Sequence, residues 1–122
     1  MKGKVRRTER GWAGHFCAAK GCLFRRNTLL ELGKKKIIVS TVGDYQSAGP
    51  NGKTETIGLD RYYETMVFKA KFESPYWEAD VSHEVPFESN WRIDDMKRDA
   101  DLRANKMHEA VVAEITKKMK GE

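Results

Sequence analysis

The strongest constraint in this chain is a pair of alternating segments on either side of Ser74-Pro75. In residues 62–73 (YYETMVFKAKFE), Met66, Phe68, Ala70 and Phe72 alternate with Thr65, Val67, Lys69 and Lys71. In residues 76–87 (YWEADVSHEVPF), Trp77, Ala79, Val81, His83, Val85 and Phe87 alternate with Glu78, Asp80, Ser82 and Glu84. A period of two marks a strand with one face in the core and the other mostly wet, so the two segments predict an antiparallel pair. If Ser74 and Pro75 alone form the turn, Phe72 faces Trp77, Phe68 faces Val81, Lys71 faces Glu78 and Lys69 faces Asp80. Apolar partners and opposite charges then match in one register. Ser-Pro is not a favoured two-residue turn, which leaves a longer loop with a shifted register as the alternative.

The last segment has the other period. Asp94-Asp95 opens it, and Met96, Ala100, Ala104, Met107, Val111 and Ile115 fall on one side of a helical wheel. Acids at its start, Lys117, Lys118 and Lys120 at its end, and Gly121 after them suit the helix dipole and a C-terminal cap. Such a one-sided helix has to cover an apolar surface, and a sheet is the available one. Residues 37–42 (IIVSTV) are β-branched enough for a buried strand. Residues 12–19 (WAGHFCAA) and 22–32 (CLFRRNTLLEL) read as a hairpin about Lys20-Gly21. In its second half Phe24, Thr28, Leu30 and Leu32 share a face with Arg26 as the exception, although NTLLEL also suits a helical turn. Residues 44–58 contain Gly-Pro and Asn-Gly and no period, and read as a long loop. The expected fold is α+β: a mainly antiparallel sheet of four or five strands, with one long C-terminal amphipathic helix packed on one face.

At 122 residues and 39% apolar content the chain suits a single domain, 1–122, with residues 1–10 as a basic arm able to stay flexible. No apolar run approaches the roughly 20 residues that span a bilayer, so no membrane partner is expected. The basic start is not followed by an apolar stretch and a small-residue cleavage site, which points to the cytoplasm. Charge is segregated. Residues 1–36 hold eleven lysines and arginines against two acids, Glu9 and Glu31, whereas the remainder is net acidic. A basic segment of this kind either meets an anionic partner or is a solvated surface.

Residues 47–54 (SAGPNGKT) end like a phosphate-binding loop, but a glycine is missing at Ser47 and strand-like sequence follows where a helix is needed. His15, Cys17 and Cys22 supply three metal ligands and no fourth, so two buried structural cysteines are the simpler reading, and no metal or cofactor is expected. His83 falls on the apolar face of its strand and is expected in the core. His108, beside the helix stripe, is expected at the surface. His15, with Arg25, Arg26, Asn27 and Thr28 across the hairpin, suits acid–base chemistry beside an arginine pair, as a small nuclease or phosphodiesterase would need, although no second acid or base identifies itself.

The same region reads more readily as a binding surface. Lys2, Lys4, Arg6, Arg7 and Arg10 can neutralise phosphates, with Arg25 and Arg26 extending the field. Trp12 and Phe16 can stack on bases. Residues 60–64 (DRYYE) form a second polar-aromatic cluster in which Tyr62 is a further stacking candidate. GWAGHF (residues 11–16), CLFRRNTLL (22–30), IIVSTVG (37–43), DRYYETMVF (60–68) and YWEADV (76–81) together resemble small uncharacterised proteins encoded by bacteriophages and prophages. That resemblance carries no assigned activity and transfers no residue role. It implies a mobile-element setting, in which small proteins bind nucleic acid or host machinery, including inhibitors of host defence such as anti-CRISPR proteins. The leading expectation is a non-enzymatic accessory protein that binds nucleic acid or a nucleoprotein through Lys4, Arg6, Arg7, Arg10, Trp12, His15, Arg25, Arg26 and Tyr62. The alternative is a protein-directed inhibitor that docks on a host defence effector, and an edge strand leaves room for a homodimer.

Overall fold

The computed structural model describes residues 3–15, 21–46, 52–58 and 60–121. The alternating segments form the hairpin expected of them: β5 (Tyr63–Glu73) and β6 (Tyr76–Glu84) run antiparallel across Ser74-Pro75. Phe72 pairs with Trp77 and Lys71 with Glu78, as charge and apolar matching predicts. Beyond Ala70 the register shifts. An irregularity between Phe68 and Ala70 pairs Phe68 with Glu84 instead of Val81, and the expected pairing of Lys69 with Asp80 is lost. Asp80 is held within its own strand, accepting from the Ser82 hydroxyl at 2.6 Å and lying 2.6 Å from His83 Nδ1. His83, expected in the core, is therefore exposed, as is Val81.

The remaining strands extend this hairpin into an antiparallel sheet of order β1-β2-β3-β5-β6, made with β1 (Arg6–Arg10), β2 (Cys22–Leu32) and β3 (Lys35–Gln46). NTLLEL is strand. Residues 6–10, expected as an arm, are the edge strand β1, with Arg6 opposite Glu31 and Arg10 opposite Asn27. The partner of β2 is thus β1. Residues 11–15 form no strand, and 16–20, with Phe16 and Cys17, lie outside the described residues, as do 47–51. Part of the expected loop at 44–58 is strand: β3 runs on to Gln46, and β4 (Thr54–Glu55) pairs back on Tyr45 and Gln46. A short β7 (Arg92–Ile93) adds to β5.

The helix α1 (Ala100–Met119) begins after Met96, later than the wheel predicts. Asp95 accepts the Lys97 N–H and binds Arg103, local bonds that compete with an earlier helical turn. From Ala100 the stripe behaves as predicted. Val111, Val112, Ile115 and Met119 pack on Leu30, Val39 and Val67, while Ala100, Ala104 and Met107 pack with Phe24, Tyr63 and Ile93. Each fully buried Val, Leu or Ile contributes about 1.5–3 kcal/mol, so this layer anchors the fold. Gly43 stands opposite Tyr63, where a Cβ would lie 2.1 Å from Tyr63 Cδ2. Only glycine leaves room for that ring.

Between the two apolar clusters lies a polar row. His108, expected at the surface, is fully buried there, with Nε2 2.7 Å from Thr28 Oγ1 and Nδ1 2.8 Å from Thr41 Oγ1. Thr41 in turn meets Thr65 at 2.6 Å. Strand threonines can turn their hydroxyls to a partner without leaving the pleat, which lets a polar helix residue sit inside the stripe.

The sheet is buried on its other face too. Strand register puts Leu29, Ile38, Val42 and Phe68 there, all buried, so β5 has two covered faces through Phe68 and becomes wet only toward its tip. Gly14 and His15 lie against Ser40 and Phe68. The edge strands β1 and β6 are bridged on this side: Arg10 Nη1 donates to the Trp77 carbonyl at 2.6 Å, and Trp12 Nε1 donates to Glu78 at 3.1 Å.

Candidate nucleic-acid interface

The arginines of the N-terminal third divide among three environments. On the helix side, Arg26 is the apparent exception among the apolar residues of β2. It bridges Glu9 at 2.8 Å and Glu109 at 2.9 Å. Arg7 donates two bonds of 2.9 Å to the same Glu109 and also binds Glu9. These hydrogen bonds, Arg7 foremost and against the pull of burial, hold the Glu109 carboxyl at about 2. Arg10 is half-buried on the opposite side, where its guanidinium donates to Asn27 Oδ1 at 3.1 and 3.3 Å and packs 4.8 Å from the Trp12 ring. Arg6 pairs with Glu31 at 3.2 Å but is largely exposed, and Lys4 beside it is exposed. Arg25 is exposed at the far end of the sheet. Tyr62, at that same end, packs against the Phe24, Tyr63 and Ile93 cluster. The nine predicted residues therefore share no single surface.

His15 has the partner that the sequence did not reveal. Its Nε2 is 3.1 Å from Glu64 Oε1, its Nδ1 is 2.6 Å from Ser40 Oγ, and Arg61 Nε donates to Glu64 Oε2 at 2.7 Å. In the neutral ring Nε2–H donates to Glu64 and Nδ1 accepts the Ser40 proton, an assignment made from donor accounting. Burial opposes ionisation of Glu64, yet the hydrogen bonds from His15 and Arg61 outweigh it and hold the carboxyl below its ordinary range. A serine, an imidazole and a glutamate in sequence have the composition of a nucleophilic relay. Here Ser40, which would be the nucleophile, is fully buried, and the His15 and Glu64 side chains are only 5% and 9% exposed. Arg26 is on the opposite face of the sheet, bound to Glu9 and Glu109, and Arg25 is exposed and separated from Glu64 by Val42. The cluster fastens residues 11–15 to the sheet. Asn27 lies beside it, fully buried, with Nδ2 lacking a partner among the described residues. Its Oδ1 faces the Arg10 donors, which fixes the amide orientation.

Free positive charge gathers elsewhere. The start of β3 with Lys34 before it, the β5–β6 hairpin at Lys69, Ala70 and Trp77, and the last turn of α1 line an open pocket of about 470 Å³. Its apolar lining is Ile37, Ala70, Trp77, Val85, Ile115 and Met119, and its basic lining is Lys34, Lys35, Lys36, Lys69 and Lys118. Lys118 pairs with Glu114 at 3.0 Å, and Lys36 lies 3.6 Å from Glu31 and 5.0 Å from the centre of the Trp77 ring. Among the described residues Lys34, Lys35 and Lys69 have no carboxylate partner. Beside the pocket the hairpin tip carries Phe72 against Trp77 at 5.4 Å and Tyr76 against Trp12 at 5.2 Å.

Sequence reasoning missed this end because its lysines come from three separated segments, which only strand pairing unites. Signals existed in the KKK run at 34–36 and in Lys69, which a period of two places outward. Cys22 is buried, and that burial pushes its thiol pKa up, which weakens it as a ligand; Cys17 of the same candidate set lies outside the described residues. Among the described residues no helix is long and apolar enough to cross a membrane, and no group of three or more potential metal ligands gathers. Comparison of the chain with family models, with curated proteins and with solved structures gives no match in any of the three.

Proposed function

We propose that the protein is a non-enzymatic accessory protein of a bacteriophage or prophage, acting in the host cytoplasm, that binds nucleic acid or a nucleoprotein through basic surface. The contact is centred on the lysine-lined end of the sheet, with Lys4 and Arg6 adjoining it. One observation carries this reading: Lys34, Lys35 and Lys69, without carboxylate partners, converge on one pocket, while Arg7, Arg10 and Arg26 are occupied within the fold. Like charges held together in this way repel one another, and a polyanion relieves that repulsion while releasing its own counterions.

The test is a titration of the protein against labelled single-stranded and duplex DNA and RNA at about 50 and 200 mM salt. Affinity should fall steeply with salt, and Lys34, Lys35 and Lys69 replaced together by Ala should remove most of the binding. Affinity unaltered by salt, or by that triple replacement, refutes the reading. Direct docking on an effector protein has separate support in the edge of β6, which among the described residues pairs with β5 alone and exposes Val81. That reading predicts no affinity for free nucleic acid and co-purification with a host protein.

A further inference from the structure

From the hairpin tip we infer that the ligand is a single-stranded nucleic acid, whose bases stack on Phe72 and Tyr76 while its phosphates lie along Lys34, Lys35 and Lys69; this rests on the binding function proposed above. The last β3–β5 pair is Ile37 with Lys69, so the aromatic tip beyond it has no β3 partner across from it. Phe72, paired with Trp77, is 57% exposed on one face of the hairpin, and Tyr76, paired with Glu73, is 55% exposed on the other, so a nucleic-acid strand that stacks on both passes over the tip. Their inner neighbours hold them in place: Trp77 packs against Phe72, and Trp12, tied to Glu78, packs against Tyr76. Exposed rings on such a rigid support lose little freedom on stacking.

Charge and aromatic surface adjoin here. Trp77 belongs both to the aromatic tip and to the pocket lining that holds the lysines, and Lys36 already lies over its ring. Alternating phosphate and base is the chemistry that fits cations beside ring faces. In a duplex the base faces are already stacked on one another and only the phosphates remain, so a duplex satisfies the lysines but not Phe72 or Tyr76. Unpaired bases satisfy both.

The experiment measures fluorescence anisotropy of a short labelled single strand, as DNA and as RNA, and of the duplex of the same sequence. Phe72→Ala and Tyr76→Ala remove exposed side chains and should leave the fold intact, which circular dichroism checks. Each should weaken single-strand binding about tenfold and leave duplex binding unchanged. Lys69→Ala should weaken both and reduce the salt slope of single-strand binding by about 0.7. Lys106→Ala, the same charge change on α1 away from this end, should do neither. Equal affinity for single strand and duplex, or no effect of the aromatic replacements while the lysine replacement still weakens binding, overturns the single-strand inference and leaves the polyanion reading standing. Absence of binding to every probe overturns both.

Discussion

Replacing His108 by Gln should abolish a pH dependence of stability that the wild-type chain shows between about pH 6.5 and 4. Donor accounting fixes the protons along the buried row. Thr28 donates its hydroxyl to Glu9 at 2.8 Å, so its oxygen accepts from His108 Nε2–H, and Nδ1 accepts from Thr41. The neutral ring is satisfied on both sides, and a second proton on Nδ1 would have to compete with the Thr41 hydroxyl. Burial, with Arg26 nearby, lowers the imidazole from 6.5 to about 4. Because the folded value is depressed, this contribution is complete above 6.5, where both states are neutral. It is lost as the pH falls toward 4, since the unfolded chain takes up the proton first. At about 1.4 kcal/mol per pH unit the loss approaches roughly 3 kcal/mol, of which 2–3 should appear by about pH 4.5. Glu109 and Glu114, held at about 2, lose their contributions mainly below their ordinary value of 4.5. Urea denaturation across this range gives stability for wild type and His108→Gln, and their difference removes every other titrating group. Gln can still donate to Thr28, so the variant should fold. Parallel curves for the two proteins would refute the buried neutral imidazole.

Gly14→Ala should cost about 1–3 kcal/mol, because a Cβ there would lie 2.6 Å from both Ser40 Cβ and Oγ and force the His15 segment off the sheet. Gly11→Ala, which meets nothing within 4 Å, serves as the control, and equal melting temperatures for the two variants would contradict this close approach. Glu109→Ala should lower stability by less than about 1 kcal/mol, since its side chain is 47% exposed. Glu9→Ala should cost more, roughly 1–2 kcal/mol, because the buried Thr28 hydroxyl loses its acceptor as well. Equal losses in chemical denaturation would detach the threonine–histidine row from Glu9.

Periodicity was legible wherever one side of an element sets its burial. The β5–β6 tip pairs in the predicted register, and the stripe of α1 from Ala100 onward packs on the sheet. It failed where burial is two-sided. Val67 and Thr65 alternate with Met66 and Phe68, so a single wet face was expected, yet residues 11–15 cover the second face and α1 the first. A period of two cannot report a layer supplied by an irregular segment. His108 was misjudged for a related reason: a polar residue beside an apolar stripe reads as its boundary, and the threonines that accommodate it come from strands far away in the chain. At the candidate site the basic excess was legible, but its location was not, because charge counts treat arginine and lysine alike.

That distinction explains where the free charge lies. A planar guanidinium can serve two acceptors at once in fixed geometry, and it is less strongly hydrated than an ammonium, so it is the cation better suited to a partly buried position. Arg26 does this between Glu9 and Glu109, Arg10 between Asn27 and the Trp77 carbonyl, and Arg61 against Glu64 beside the Trp91 ring. Lys34, Lys35 and Lys69 remain solvated at the edge of the pocket. Arg26→Lys should therefore destabilise the fold by about 1 kcal/mol or more despite conserving charge, since one ammonium cannot hold both carboxylates in that geometry. Lys35→Arg should leave stability unchanged and preserve the salt dependence of binding. If chemical denaturation shows the two substitutions to be equivalent, the arginines are not fastening the fold, and the N-terminal basic third regains its claim to be the binding surface.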